Sequence, residues 1–129
     1  GVQTCALPIY MTNMTVEQMT KIVYDAIDDK LGQDISIINI GKVSSLCDYF
    51  VIATAGSTRQ VKAIADNVQD ALTEYGIEPR SKEGYQTQNW ILLDYGDVMV
   101  HVFDEENRGF YNLEKLWKDA PYVDVDTLA

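Results

Sequence analysis

The chain has 129 residues, 47% of them hydrophobic, and its 20 acidic and 10 basic side chains give a formal net charge of −10. This length and composition predict one globular domain and exclude a disordered or fibrous chain. No apolar run reaches the roughly 18–20 residues that span a bilayer, so we expect no membrane contact. The excess of acids disfavours direct nucleic-acid binding, which depends on Lys and Arg, and favours a basic partner.

The amino-terminal segment and the cysteines bound the chemistry. Residues 1–10 carry no charge and no helical or strand period, and we expect a non-native or disordered extension there. Without Cys5, the one remaining cysteine is Cys47, so no internal disulfide can form and a reducing, cytoplasmic location is expected. His101 is the sole histidine. Cys and His are therefore too few for a zinc site, and we expect no metal and no cofactor.

The first half of the domain predicts two helices and two strands. Thr15 and Gln18 have the spacing of a capping box, and apolar residues then recur every three or four positions until a helix end near Gly32. Residues 35–40 alternate as a strand does. Residues 49–54 form a continuous apolar run, typical of a strand covered on both faces. A second capping box, Ser57 with Gln60, opens a helix that ends at Gly76.

The second half predicts three strands and a last helix. Residues 80–83 can form a short edge strand. Residues 90–94 and 98–103 form a hairpin through a tight link over residues 95–97. A helix over residues 108–118 carries an apolar stripe of Phe110, Leu113 and Trp117, and residues 119–129 form an irregular acidic tail. The pattern predicts a single α/β or α+β domain with a mixed sheet of four or five strands flanked by helices.

Three places are candidate sites. The turn formed by Gly56, Ser57, Thr58 and Arg59 at a helix N-terminus can hold an anion, but an ordinary helix cap is the commoner reading. Asp94 and Asp97 could bind magnesium in a nucleotidyltransferase, although their separation by three positions favours capping of the hairpin. Strand parity places Trp90 and Leu92 on one face and Ile91 and Leu93 on the other, so Trp90 either presents an apolar docking patch or covers the edge of the core.

Two further groups favour structural roles. Cys47 and His101 could in principle form a nucleophile–base pair, but packed residues are the preferred interpretation. His101 lies on a strand beside Met99 and Phe103, as a hydrogen-bonded core histidine does. The acids of residues 104–106 are best explained as a helix start, where they complement the helix dipole.

Taken together, several segments resemble the Iojap-related ribosomal silencing factors. The segments are DYFVI at residues 48–52, residues 59–66, the Glu83–Gly84 pair, WILLDYGDV at residues 90–98, VHVF at residues 100–103 and RGFYNLEKLW at residues 108–117. The resemblance runs from about Thr15 to Ala120. Together with the composition of the two ends, it predicts three parts: a non-native or disordered extension at residues 1–10, the family domain at residues 11–120 and an acidic tail at residues 121–129.

The resemblance implies a nucleotidyltransferase-like sheet topology without catalysis. It also implies binding to the fourteenth large-subunit ribosomal protein, a steric block to small-subunit joining, and repression of translation. Because members of the family form homodimers, we also expect that this chain can form a homodimer. Trp90 matches the family's tryptophan in the ribosomal-protein contact, and the resemblance implies that Leu92, Asp94, Tyr95 and Asp97 extend this contact.

The sequence differs from the family pattern at two places, and two other functions remain as alternatives. Many relatives carry a glycine just before the tryptophan, where this chain has Gln88 and Asn89, and Met99 replaces a usual valine. An assembly factor for the large subunit is the first alternative function. A small nucleotidyltransferase-like enzyme that uses Asp94 and Asp97 with magnesium is the second.

Overall fold

A five-stranded mixed sheet organises the chain, whose computed structural model describes residues 14–128. In chain order the elements are α1 (Val16–Asp29), β1 (Gln33–Asn39), β2 (Tyr49–Ala55), α2 (Thr58–Thr73), β3 (Ser81–Glu83), β4 (Trp90–Asp94), β5 (Val98–Asp104), α3 (Glu105–Tyr111) and α4 (Leu113–Leu116), with short 3-10 helices at Ile40–Lys42 and Val125–Thr127. The strand order across the sheet is β1-β2-β5-β4-β3. β2 and β5 run parallel and every other neighbouring pair is antiparallel. The mixed sheet expected from the sequence is confirmed.

One face of the sheet, which we call the inner face, packs against α1 and α2. All seven residues of β2 are buried, as its continuous apolar run predicts. Ile91 and Leu93 are fully buried in the same cluster as the apolar stripes of the two helices. The side-chain amide of Asn67 in α2 donates to the carbonyl of Ala26 in α1 over 2.8 Å, which ties the two helices together. This layer holds the larger part of the core.

The helix boundaries follow the capping signals in the sequence. At the start of α1, the Thr15 hydroxyl accepts from the backbone N–H of Gln18 and the Gln18 amide accepts from that of Thr15, each over 3.0 Å. Beyond α2, Gly76 adopts a φ of +76° and the N–H of Ile77 donates to the carbonyl of Leu72. These bonds satisfy backbone groups that helix ends otherwise leave unpaired.

The last helix departs from the prediction. A single helix over residues 108–118 is wrong, because Asn112 adopts a left-handed conformation, with φ +43° and ψ +62°, and separates α3 from α4. Asparagine tolerates this region better than most residues, and its side chain accepts from the N–H of Lys115 to cap α4. The break lays Leu113 and Trp117 on the second face of the sheet. The side chain of Phe110 lies outside the described part of the chain.

The carboxy-terminal segment is irregular, as expected, but it is docked onto the fold. The N–H of Asn39 donates to the carbonyl of Pro121, and the N–H of Val123 donates to the carbonyl of Ile37. These bonds run along the edge of β1 that does not pair with β2. Leu128 is 7% exposed and belongs to the inner core. The segment therefore covers a sheet edge that would otherwise expose unpaired backbone groups.

Candidate functional site

The second face of the sheet, which we call the outer face, carries the candidate site. In the β4–β5 register Trp90 lies opposite Phe103, Leu92 opposite His101, and Asp94 opposite Met99. Residues paired across strands project to the same side, so these six side chains share the outer face. The parity predicted for β4 is confirmed, since its alternate residues are buried on the inner face.

An aromatic cluster forms the centre of this face. The Trp90 ring stacks on Phe103 with centroids 4.9 Å apart, and its indole Nε1 donates to His101 Nδ1 over 3.2 Å. Phe50 continues the cluster, with ring centroids 4.6 Å from His101 and 5.7 Å from Trp117. Aromatic pairs at these separations add stability beyond their buried area. The cluster therefore fixes Trp90 on a rigid support.

Four side chains at the margin of this cluster remain partly open to solvent, and together we call them the outer patch. Trp90, Met99 and Trp117 pack against the outer core as half-buried residues, and Leu92 is half-buried beside them on β4. Strand parity in the sequence predicted Trp90 and Leu92 as surface residues but did not indicate Met99 or Trp117. The predicted hairpin pairs Asp94 with Met99, and this pairing could have placed Met99 on the outer face. Trp117 could not be placed in this way, because it reaches the patch only through the break at Asn112.

Acidic side chains flank the outer patch. The β3–β4 register places Glu83 opposite Leu92 and Ser81 opposite Asp94. Asp94 also caps the hairpin, because its Oδ1 accepts from the N–H of Gly96 over 2.8 Å. This is the hairpin-capping role that the sequence favoured over metal binding. On its β3–β4 side the apolar patch is therefore bordered by negative charge.

Two of the predicted site residues lie elsewhere. Tyr95 is 8% exposed and belongs to the inner core, where burial raises the pKa of its phenol. Asp97 is exposed at the end of the sheet, and its carbonyl accepts from the N–H groups of Asp48 and Tyr49. It lines a groove of about 730 Å³ together with the loop of residues 41–48 and Arg80. The structure therefore brings Trp90, Leu92 and Asp94 together and leaves Tyr95 and Asp97 apart.

The structure gives little support to the catalytic alternatives. Asp94 is engaged in the turn on the outer face, whereas Asp97 faces the groove at the sheet end. Within residues 14–128 no cluster of three His, Cys, Asp or Glu side chains is arranged to hold a metal ion. Cys47 donates to the carbonyl of Tyr49, and burial raises the pKa of its thiol to about 11. A thiol with such a pKa is not an activated nucleophile at neutral pH.

The candidate anion turn is a helix cap. The Ser57 hydroxyl accepts from the N–H of Gln60 over 3.1 Å. The Gln60 side chain accepts from the N–H of Gly56, one residue earlier than the expected capping box, and donates to the carbonyls of Lys30 and Leu31. The chain thus uses two of the backbone donors that would bind an anion.

An ion pair that the sequence did not reveal holds α3 and α4 on the outer face. Arg108 pairs with Glu114 through its Nε and one terminal nitrogen, the Nε–Oε2 distance being 3.1 Å. Its other terminal nitrogen donates to the Thr54 hydroxyl over 2.7 Å. Both charged side chains are mostly buried. Burial alone would raise the pKa of Glu114, but the hydrogen bond and charge of Arg108 outweigh it, so the pKa is lowered. Bidentate Arg–carboxylate pairs have defined geometry, so this contact fixes α4, and Trp117 directly after it, on the sheet.

Comparison with known proteins gives consistent matches. A family model described as "Ribosomal silencing factor during starvation" matches residues 13–129. The ribosomal silencing factor RsfS of Bacillus subtilis is 43% identical over 113 residues, which are 88% of this chain and 96% of the relative. The chloroplastic Iojap protein of Zea mays is 32% identical over 92 residues, covering 71% of this chain and 40% of that longer protein.

Solved structures agree with these sequence matches. A crystal structure of a Chromobacterium violaceum protein superposes with a TM-score of 0.79 at 38% identity, covering 81% of this chain and 88% of the other. A second, from Bacillus halodurans, gives a TM-score of 0.74 at 39% identity and covers 83% and 97%. In the described part of this chain, none of the helices has the length and apolar character needed to cross a bilayer. By sequence and by fold, the chain belongs to the ribosomal silencing factor family.

Proposed function

We propose that this chain silences translation by docking its outer patch on the fourteenth large-subunit ribosomal protein, which blocks joining of the small subunit. The observation that carries the proposal is a half-open tryptophan held on a rigid aromatic support. Trp90 is stacked on Phe103 and hydrogen-bonded to His101, so its indole is already ordered before any partner arrives. A preorganised anchor loses little conformational entropy on binding.

The chemistry of the patch supports a protein partner. Tryptophan is enriched among the few interface residues that dominate binding energy, and such residues sit at the centre of apolar patches. Leu92 follows Trp90 on the same face of β4, and Met99 lies on that face at the other end of the hairpin, opposite Asp94. An exposed apolar cluster with a polar border is typical of a protein–protein contact.

The charge distribution supports a basic partner. Glu83 and Asp94 border the patch, and the whole chain carries a net charge of −10. Complementary charge accelerates association with a basic protein and disfavours contact with phosphate backbones. We therefore propose a ribosomal protein, rather than ribosomal RNA, as the docking partner, with a cytoplasmic location for the complex.

Co-sedimentation with purified large and small subunits tests the proposal. We expect selective binding to the large subunit, and at least about thirtyfold weaker binding for Trp90→Ala, the loss typical of a hot-spot residue. Leu31→Ala is the matched control, because Leu31 is 76% exposed at the end of α1, outside the outer patch. Binding to neither subunit contradicts the proposal, and equal binding by a folded Trp90→Ala variant removes Trp90 from the contact.

A subunit-joining assay separates silencing from a role in assembly. The proposal predicts that the protein reduces formation of whole ribosomes from purified subunits, and that Trp90→Ala abolishes this effect. Binding through Trp90 with undiminished joining would instead favour the assembly alternative.

A further inference from the structure

His101 occupies the middle of the outer face, on β5 opposite Leu92 and next to the proposed anchor Trp90. It is 4% exposed and lies between the rings of Phe50 and Trp90, with centroids 4.6 Å and 5.9 Å away. Its Nδ1 lies 3.2 Å from Trp90 Nε1. An indole nitrogen can only donate a hydrogen bond, so Nδ1 must accept and the ring proton must sit on Nε2.

We propose that His101 is the positioning residue of the docking surface, and that its unprotonated Nδ1 holds the Trp90 indole in the orientation that the ribosomal partner binds. The inference rests on the proposed function, since it specifies how that site is kept ready. It assigns His101 a role beyond filling the core, because its hydrogen bond fixes the orientation of the one side chain that the proposal makes the docking anchor.

The surroundings of the ring keep it neutral. Burial is the cause that lowers the pKa of His101, to about 4, so the imidazole is uncharged at neutral pH. An imidazolium would carry a proton on both nitrogens and would set an N–H against the indole N–H. The uncharged ring is therefore the state in which the contact to Trp90 can form.

The second ring nitrogen carries a cost in stability. Nε2 is buried and has no hydrogen-bond partner among the described residues, although this tautomer makes it a donor. A buried donor without a partner destabilises the folded state. An apolar side chain would avoid that cost, whereas it could not orient the indole. Stability and positioning thus make opposite demands at this residue.

A double-mutant cycle tests the positioning role. We expect His101→Leu to weaken large-subunit binding about tenfold, or about 1.4 kcal/mol, the size of one hydrogen bond, with little loss of thermal stability. Trp90→Phe keeps a ring to stack on Phe103 but removes the N–H. In that background, His101→Leu should have no further effect on binding. Equal losses in both backgrounds would show that His101 acts otherwise than through the indole and would overturn the proposal.

Two further measurements guard against misfolding and against failure of the proposed function. His101→Asn offers a side-chain oxygen near the position of Nδ1, and we expect it to restore part of the binding lost in His101→Leu.

In nitrogen-15 NMR spectra of the wild-type chain, the histidine should show the Nε2–H tautomer, and the Trp90 indole proton should exchange with water more slowly than that of Trp117. An Nδ1–H tautomer would overturn the positioning role even if Trp90 binds the ribosome. The expected tautomer without ribosome binding would leave the indole contact in place and refute the proposed function alone.

Discussion

Gly84→Ala tests whether the backbone that presents Trp90 depends on one glycine. Gly84 directly follows β3 and has φ +91°, a conformation that residues with a side chain rarely adopt. A Cβ placed there would lie 1.9 Å from the carbonyl oxygen of Trp90 and 3.1 Å from the Cα of Ile91. Because contacts below 3.0 Å essentially do not occur, the backbone would have to move by more than 1 Å at the first residue of β4.

The expected cost has two parts. An L-residue held at positive φ costs about 1–2 kcal/mol. Overpacking at a tightly packed position costs a further ~1–3 kcal/mol, because the contact is with backbone and cannot be relieved by a rotamer change. We therefore expect Gly84→Ala to lower the free energy of unfolding by about 2–5 kcal/mol.

Urea denaturation followed by circular dichroism measures this cost, with Gly109→Ala as the matched control. Gly109 lies inside α3, and a Cβ there meets nothing within 4 Å. The same Gly→Ala change should therefore raise stability by roughly 0.5–1 kcal/mol through helix propensity. Equal stability of Gly84→Ala and the wild type, or equal destabilisation by both substitutions, would refute the reasoning.

Three other substitutions or conditions give further tests. Gln88, in the loop before Trp90, has φ +61°, so Gln88→Gly should raise the free energy of unfolding by about 0.5–1 kcal/mol and with it the urea midpoint, and a lower midpoint would contradict this. In the unfolded state His101 binds a proton below about pH 6.5, whereas in the folded state its pKa is lowered to about 4 and the buried ring stays unprotonated. Unfolding free energy should therefore fall towards pH 4 by up to about 3 kcal/mol, and the fall should be smaller in His101→Leu. Leu128→Ala removes a buried contact from the docked terminus and should cost about 2 kcal/mol in thermal unfolding, whereas no change would show that the segment is not docked.

Local signals predicted most of the fold. The capping residues Thr15 and Ser57, the terminating Gly76 and the hairpin at residues 95–97 act within a few positions of the chain, so their structures follow from short-range bonds. The period of two in β4 correctly separated Trp90 from Ile91. Continued by one step, the same period places Tyr95 with Ile91 and Leu93, on the inner face where it lies. The contact expected from the family resemblance nevertheless included Tyr95, because it followed a continuous segment of sequence and not the alternation of the strand.

Tertiary contacts decided what the sequence could not predict. The spacing of Leu113 and Trp117 is the same in one helix or two, so the periodicity could not show the break at Asn112. Arg108 contacts Glu114 and Thr54, which are 6 and 54 positions away. The carboxy-terminal segment has no period of its own, because its conformation follows the edge of β1. The outer patch depends on these long-range contacts, and this is why only part of it was predicted.

The most direct test of the account measures the affinity of the intact chain for the isolated fourteenth large-subunit ribosomal protein. We expect saturable binding that Trp90→Ala weakens at least about thirtyfold and that Leu31→Ala leaves unchanged. Circular dichroism should show both variants to be folded. No binding by the wild type, or equal binding by the wild type and Trp90→Ala, would contradict the claim that the outer patch is the ribosome-docking surface.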